Sequence, residues 1–281
     1  MKKIFKKATC MVLALSSAVA CLGMFTACET KNPEVKMKVE FEGETYTLEY
    51  KLYRELAPET VKHFLDLAAN GYYNGVCVHN FEDGEKMYTG AYTYDVNAEN
   101  GGIVYKNYYD IVAKYKDFNH TVWMDKDKKT PTYTLKGEFE ANSFKVQNGS
   151  LLKQSFGSLT MEYTQKDFDE VEKVAVLRGD GKSVDNKDYQ YNSATSQFSI
   201  SLSDSEKSNS NYCTFATLKK GSKDDLNDLL AAIEAYESDF VAEYTVDVDR
   251  DDMMISEWEN TALYAVPVSP IIIKSVKVTK Y

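Results

Sequence analysis

The sequence predicts a mainly β protein, built as a closed antiparallel barrel that two helices cap at its ends. Its 281 residues are 43% hydrophobic and 27% charged, which is typical of a folded globular protein with one large core or two small ones. This composition excludes disordered, collagen-like and multi-pass membrane classes. The 21 tyrosines and 13 phenylalanines favour half-buried strands. Many short strand-like segments and only two helical patterns then indicate the barrel.

The elements follow in order along the chain. Residues 35–41 and 46–52 alternate apolar and polar side chains on either side of a Gly-containing turn, which predicts a β-hairpin. Residues 57–71 carry Pro58 in the first turn, one apolar face and Gly71 at the end, as an amphipathic helix does. A second helix is predicted over 223–236, and a closing strand over 270–278. Further short strands are predicted at 76–79, 86–90, 157–161, 196–202 and 212–218.

Three polar stretches, 92–134, 164–191 and 237–266, separate these elements and are rich in Tyr, Asp, Lys and Asn. We expect them to be long surface insertions without cores of their own. The folded domain then spans residues 35–281. Within the last insertion, residues 247–252 cluster carboxylates, but they lack the glycine turn and terminal Glu of a calcium loop, which favours a solvated acidic loop.

The amino terminus has the pattern of an export signal. Residues 1–27 combine a cationic start with an apolar stretch, and small residues then precede Cys28. The end of this segment, Met24-Phe25-Thr26-Ala27-Cys28, resembles the bacterial lipoprotein lipobox, in which the cysteine is lipidated and becomes the first residue. We therefore expect a signal peptide over 1–27, a tether over 28–34 and a lipid anchor on Cys28 that holds the domain outside the cytoplasm. The alternative is an ordinary cleaved signal in which Cys28 is incidental.

Removal of that segment leaves an acidic chain. The segment contains four lysines, so 29 basic residues then face 43 acidic ones. Such a charge repels nucleic acid phosphates, and we find no local basic patch that would overcome it. No nucleic acid partner is therefore expected.

Four segments, taken in order, are similar to one family. Residues 53–64 with 71–75 resemble the first helix region of the cyclophilin-type peptidyl-prolyl isomerases, and 135–144 resembles their Gly-Glu-Phe-x-x-Asn segment. Residues 157–161 look like the strand before the substrate loop, and 192–198 look like the Asn-Ser-Ala-x-Ser-Gln-Phe signature. The resemblance implies an eight-stranded barrel with a helix at each end and a groove on its outer face for proline-containing segments of exported proteins. It implies no cofactor and no metal, and we expect a monomer.

The positions that form the family's groove depart from its pattern. The family has a Phe-His-Arg run whose Arg donates hydrogen bonds near the prolyl amide, and Asn80 stands at this Arg position. The family's Phe-Met-x-Gln stretch aligns with residues 86–89, which retain Met87 but place Lys86 at an apolar position and Thr89 at the amide position.

Later in the chain the departures continue. Gln197 and Phe198 are kept, whereas Ser199 replaces a second Phe of the proline pocket and Tyr212 stands at a family His. The resemblance thus assigns a catalytic role to Asn80 and Gln197, and substrate contacts to Met87, Thr89, Phe198, Ser199 and Tyr212. Asparagine offers one neutral amide in place of the fixed charge of Arg, so we expect a weakened isomerase. The alternative is a binding module that keeps the barrel without turnover.

Other features favour structural interpretations. Cys77 and Cys213 form either a disulfide or, as we expect, two buried thiols. His63, on the first helix, is expected to point to solvent. A metal or triad site built from His63, His79 and His120 is disfavoured because no ligand spacing supports it.

Overall fold

The computed structural model describes residues 30–115, 118, 135–140, 144–146, 149–163, 172–177, 183–189, 193–204, 212–236, 239–247 and 261–281. The signal segment, Cys28, His120 and most of the acidic stretch 247–252 lie outside these ranges, so the predictions made for them stay predictions. None of the helices within the described ranges has the length and apolar character needed to cross a membrane.

Fourteen strands and three α-helices make up the described fold. The helices are α1 (Pro58–Ala69), α2 (Tyr108–Val112) and α3 (Lys223–Glu234). The strands are β1 (Glu34–Phe41), β2 (Glu44–Leu52), β3 (Val76–Glu82), β4 (Lys86–Tyr94), β5 (Ile103–Tyr105), β6 (Leu135–Lys136), β7 (Leu159–Tyr163), β8 (Glu172–Leu177), β9 (Val184–Tyr189), β10 (Ser193–Ser201), β11 (Cys213–Leu218), β12 (Val241–Asp247), β13 (Thr261–Pro267) and β14 (Ile272–Lys280).

Eight of these strands close into a ring in the order β4, β3, β14, β1, β2, β11, β7, β10, and β10 pairs again with β4. Neighbours in the ring run antiparallel. Closure removes the exposed edges that an open sheet would present. The mainly β fold and the eight-stranded ring are therefore confirmed.

The seam between β4 and β10 requires a glycine. Gly90 has a φ of +102°, and a Cβ atom at this position would collide with the carbonyl oxygen of Ser196. The hydroxyl of Ser196 donates to the carbonyl of Gly90 at 2.7 Å. The two strands can approach this closely because Gly90 has no side chain.

The main core fills the inside of the ring and the underside of α1. The ring of Phe64, on α1, lies 5.0 Å from those of Tyr73 and Phe215 and 5.4 Å from that of Phe198. α3 packs on β2 and buries Leu226 and Leu229. Both predicted helices are thus present.

The first turn of α1 takes its hydrogen-bond acceptor from a distant segment. Ala57, at the N-cap, has no side-chain acceptor, and the carboxylate of Glu138 accepts the backbone N–H groups of Glu59 at 3.1 Å and Thr60 at 2.8 Å instead. Burial nevertheless raises the pKa of Glu138 to about 7, because desolvation outweighs these hydrogen bonds.

Two side chains of this region were the subject of predictions. His63 is buried, with a ring nitrogen 2.6 Å from the carbonyl oxygen of Thr195 and 3.2 Å from the hydroxyl of Tyr108, so the expectation that it points to solvent was wrong. Cys77 and Cys213 are buried thiols and belong to two different clusters, as the thiol interpretation requires.

The insertions contain regular structure that the sequence prediction missed. α2, in the first insertion, buries Tyr108 and Val112 in the main core. β8 and β9 form a hairpin in the second. In the third, β12 and β13 pair along seven residues, and β13 packs against β3. This β12–β13 hairpin joins a small outer cluster made of Cys77, Ala91, Tyr92, Ile103, Val246 and Val266.

Candidate functional site

The outer face of β3, β4, β10 and β7 brings together part of the predicted groove. Asn80 is half-buried on β3, and Gln197 and Ser199 lie two residues apart on β10, which places them on one side of the strand. Tyr212 directly precedes β11 and reaches the same surface, where its ring contacts Lys86. Four of the seven predicted residues therefore share this face, which we call the outer groove.

The other three predicted residues lie inside the barrel. Met87 and Phe198 are fully buried in the main core, and Thr89 is buried with its hydroxyl donating to the carbonyl of Cys77 at 2.8 Å. Phe198 pairs with Thr89 across the β4–β10 seam, so both follow the inward parity of their strands. The prediction that these three side chains contact substrate on the outer face does not fit their positions.

Lys86 and Tyr88 occupy the outward positions of β4 instead. The ammonium group of Lys86 lies 4.9 Å from the centroid of the Tyr212 ring and 5.6 Å from that of Tyr88. The hydroxyl of Tyr88 donates to a carboxylate oxygen of Glu82 at 3.0 Å. The sequence analysis named Lys86 at a groove position but missed Tyr88, although a lone apolar Met87 between two polar neighbours marks the inward position.

The slot beside Ser199 is polar. Glu162 is half-buried on β7, and its carboxyl interacts electrostatically with Lys86. Burial raises the pKa of the Glu162 carboxyl, and Lys86 partly offsets this effect. The hydroxyl of Ser199 lies beside this carboxyl, and its interaction with Glu162 also lowers the pKa. An apolar proline ring in the slot would cover both polar groups without offering either of them a hydrogen bond.

The β12–β13 hairpin borders the groove at Asn80. The backbone N–H of Ala265 donates to the side-chain oxygen of Asn80 at 2.8 Å. Next to it, the rings of His79, Tyr92 and Tyr264 contact one another, and the His79 ring lies 4.8 Å from that of Tyr92 and 5.0 Å from that of Tyr264. Burial lowers the pKa of His79 to about 3, so this imidazole is neutral at physiological pH.

This contact limits what Asn80 can do. Its oxygen is occupied by the hairpin, and its amide nitrogen points to a carboxylate oxygen of Glu82 at 3.5 Å. Because one N–H of this amide is directed at Glu82, a peptide carbonyl in the groove can use only the second, neutral N–H. Within the described part of the chain, no group of three or more histidine, cysteine or carboxylate side chains is placed to hold a metal ion.

The closed ring with a helix at each end and a site on its outer wall defines the class of protein as a capped β-barrel domain. The family model described as "Cyclophilin type peptidyl-prolyl cis-trans isomerase/CLD" matches residues 35–255. The chain belongs to this cyclophilin-type isomerase family.

Solved structures similar to this chain are also cyclophilins. The Cryptosporidium parvum cyclophilin-type peptidyl-prolyl cis-trans isomerase is 18% identical, with 89% of this chain and 99% of that chain covered and a TM-score of 0.45. The same enzyme in the presence of the dipeptide Ala-Pro gives 18% identity, 88% and 99% coverage and a TM-score of 0.45. The Mimivirus cyclophilin is 14% identical, with 90% and 91% coverage and a TM-score of 0.45. No curated protein matched the chain.

Proposed function

We propose that this protein is a lipid-anchored, extracytoplasmic peptidyl-prolyl isomerase of attenuated activity that assists the folding of exported proteins. Membership of the cyclophilin-type family supports the reaction type. Rotation about an X-Pro bond has a barrier of roughly 18–20 kcal/mol because amide resonance must be lost. A catalyst lowers this barrier by holding the proline and stabilising the pyramidal nitrogen, so the groove needs oriented donors and no nucleophile.

The hydrogen bond between Asn80 and Ala265 is the main observation that supports a reduced isomerase activity. It fixes the side chain at the family's Arg position and takes up its oxygen. The NH2 group of Asn80 is neutral and lies near Glu82, whereas an Arg would present several charged donors. Loss of one preorganised donor costs on the order of 10²–10³ in rate in other enzymes, and we expect a deficit of that size.

Gln197 and Lys86 are the donors that support residual turnover. Gln197 retains the family residue on the outward side of β10. Lys86 brings an ammonium group to the same face, where it lies beside the rings of Tyr88 and Tyr212. Its ammonium can donate to a peptide carbonyl, although from β4 and not from the family's position on β3.

The experiment measures cis-trans exchange of an Ala-Pro-containing peptide by NMR exchange spectroscopy, with and without the full chain. We expect acceleration that Gln197→Ala removes and that Asn227→Ala, an exposed amide on α3, leaves unchanged. Peptide shift changes without acceleration would replace the isomerase by the inactive binding module, which the polar slot at Ser199 favours. Absence of both effects would refute a role for the outer groove.

Anchoring is tested separately. The proposal rests on the segment that ends at Cys28, and it predicts that a palmitate analogue labels the protein in bacterial cells. Cys28→Ser should abolish the label, and Cys21→Ser, within the signal segment, should not. Equal labelling of both variants would exclude Cys28 as the lipidation site.

A further inference from the structure

A second concave surface lies at one end of the barrel, where the β3–β4 turn faces the last turn of α3 and the start of β12. The cavity has a volume of about 600 Å³. Its lining does not include Asn80, Gln197 or Ser199, so it is distinct from the outer groove. We call it the end cavity.

The floor of the end cavity is apolar and preformed. Phe81, Leu202 and Ile233 line it and are only 4%, 7% and 6% exposed, so their positions are set by the main core. Phe240 forms one wall, and its ring stands edge-on to those of Phe81 at 5.2 Å and Tyr236 at 5.8 Å. The size falls within the range of sites that hold one large apolar group.

The opening of the cavity is acidic. Asp83 from the turn and Glu234 from α3 line it and are both exposed, and no described residue of the lining carries a positive charge. The turn adds Glu82 and Glu85 on either side of Asp83 and Gly84. Carboxylates on two different elements next to an apolar floor favour a ligand with an apolar body and flanking positive charge.

We propose that the end cavity binds a peptide segment of another protein that inserts a bulky apolar side chain next to Lys or Arg. The apolar side chain covers Phe81, Leu202 and Ile233, and the cationic residues meet Asp83 and Glu234. Such a site does not need a proline in the segment that it binds, so it selects a client or partner protein independently of the outer groove.

The test measures binding of two fluorescein-labelled tripeptides, Lys-Phe-Lys and Glu-Phe-Glu, to the full chain by fluorescence anisotropy. We expect saturable binding of the cationic peptide, weakened about tenfold or more by the double variant Asp83→Lys with Glu234→Lys. Asp228→Lys reverses one charge, half the change of the double variant, at an exposed position of α3 outside the cavity and should alter binding less than about twofold. Leu230→Trp, at a half-buried lining position, should weaken binding by filling the cavity.

Three results would overturn the proposal. They are the absence of saturable binding, equal affinity for the two peptides, and binding that neither the double variant nor Leu230→Trp changes. Because none of these variants touches the outer groove, prolyl exchange measured on the same samples separates failure of this site from failure of the isomerase.

Discussion

Replacing Asn80 by the family's Arg should restore little activity. Arginine has no acceptor, so Asn80→Arg leaves the backbone N–H of Ala265 without the partner that it now contacts at 2.8 Å. Loss of the acceptor for a partly buried donor costs about 1–3 kcal/mol, and the half-exposed position of Asn80 suggests a loss near the lower end. The new guanidinium would also lie next to Glu82, which would draw it away from a bound peptide.

The assay combines urea unfolding with NMR exchange of the X-Pro peptide. We expect the free energy of unfolding to fall by about 1 kcal/mol and the exchange rate to rise less than about tenfold, because Ser199 still leaves the slot polar. Asn227→Arg adds the same side chain at an exposed site on α3 and controls for net charge. A larger gain in rate with unchanged stability would refute both the role of the Ala265 contact and this account of the groove.

Three further predictions concern the barrel itself. The pKa of Glu138 is raised from 4.5 to about 7, so the folded state holds a proton that the unfolded state releases in that window. The free energy of unfolding should therefore fall by up to about 3 kcal/mol as the pH rises from below 4.5 to above 7. In urea titrations Glu138→Gln should abolish this fall. If the pH dependence of the unfolding free energy is the same in the variant, Glu138 is not its source. Gly90→Ala should destabilise the fold by about 3 kcal/mol or more in the same titration, because the added methyl collides with Ser196; a loss below about 1 kcal/mol would contradict the close approach at the seam. Cys77 and Cys213 should resist a thiol reagent in the native protein, since both are buried and burial raises the pKa of Cys77 to about 12, and both should react in denaturant. If neither of them reacts after unfolding, the two form a disulfide.

Strands such as β1 and β2 could be predicted because their own sequences alternate apolar and polar residues. β1 and β2 show buried residues at every second position, and the structure pairs them in the register that this pattern requires. On β4 the resemblance assigned Lys86, Met87 and Thr89 to the groove. In the structure Met87 and Thr89 are buried on the inner face, and Lys86 lies on the outer face.

The borders of the groove could not be predicted from local sequence. The sequences of β12 and β13 predicted only a polar surface insertion. Much of the burial of these strands comes from packing against His79 and Tyr92, which lie far away in the chain. His63 was misplaced for the same reason. Its burial depends on Tyr108, which comes from an insertion that was expected to stay on the surface.

The carboxylate that caps α1 also has a consequence for the order of folding. Glu138 lies 78 residues after Thr60, so the first turn of the helix gains its acceptor only when that later segment arrives. Until then its N–H groups depend on water, and an isolated helix of 12 residues is marginal. Completion of α1 therefore depends on a contact between segments that are far apart in the chain. When synthesis has reached only β4, the first turn of this helix should still fray, and a chaperone or protease can reach it.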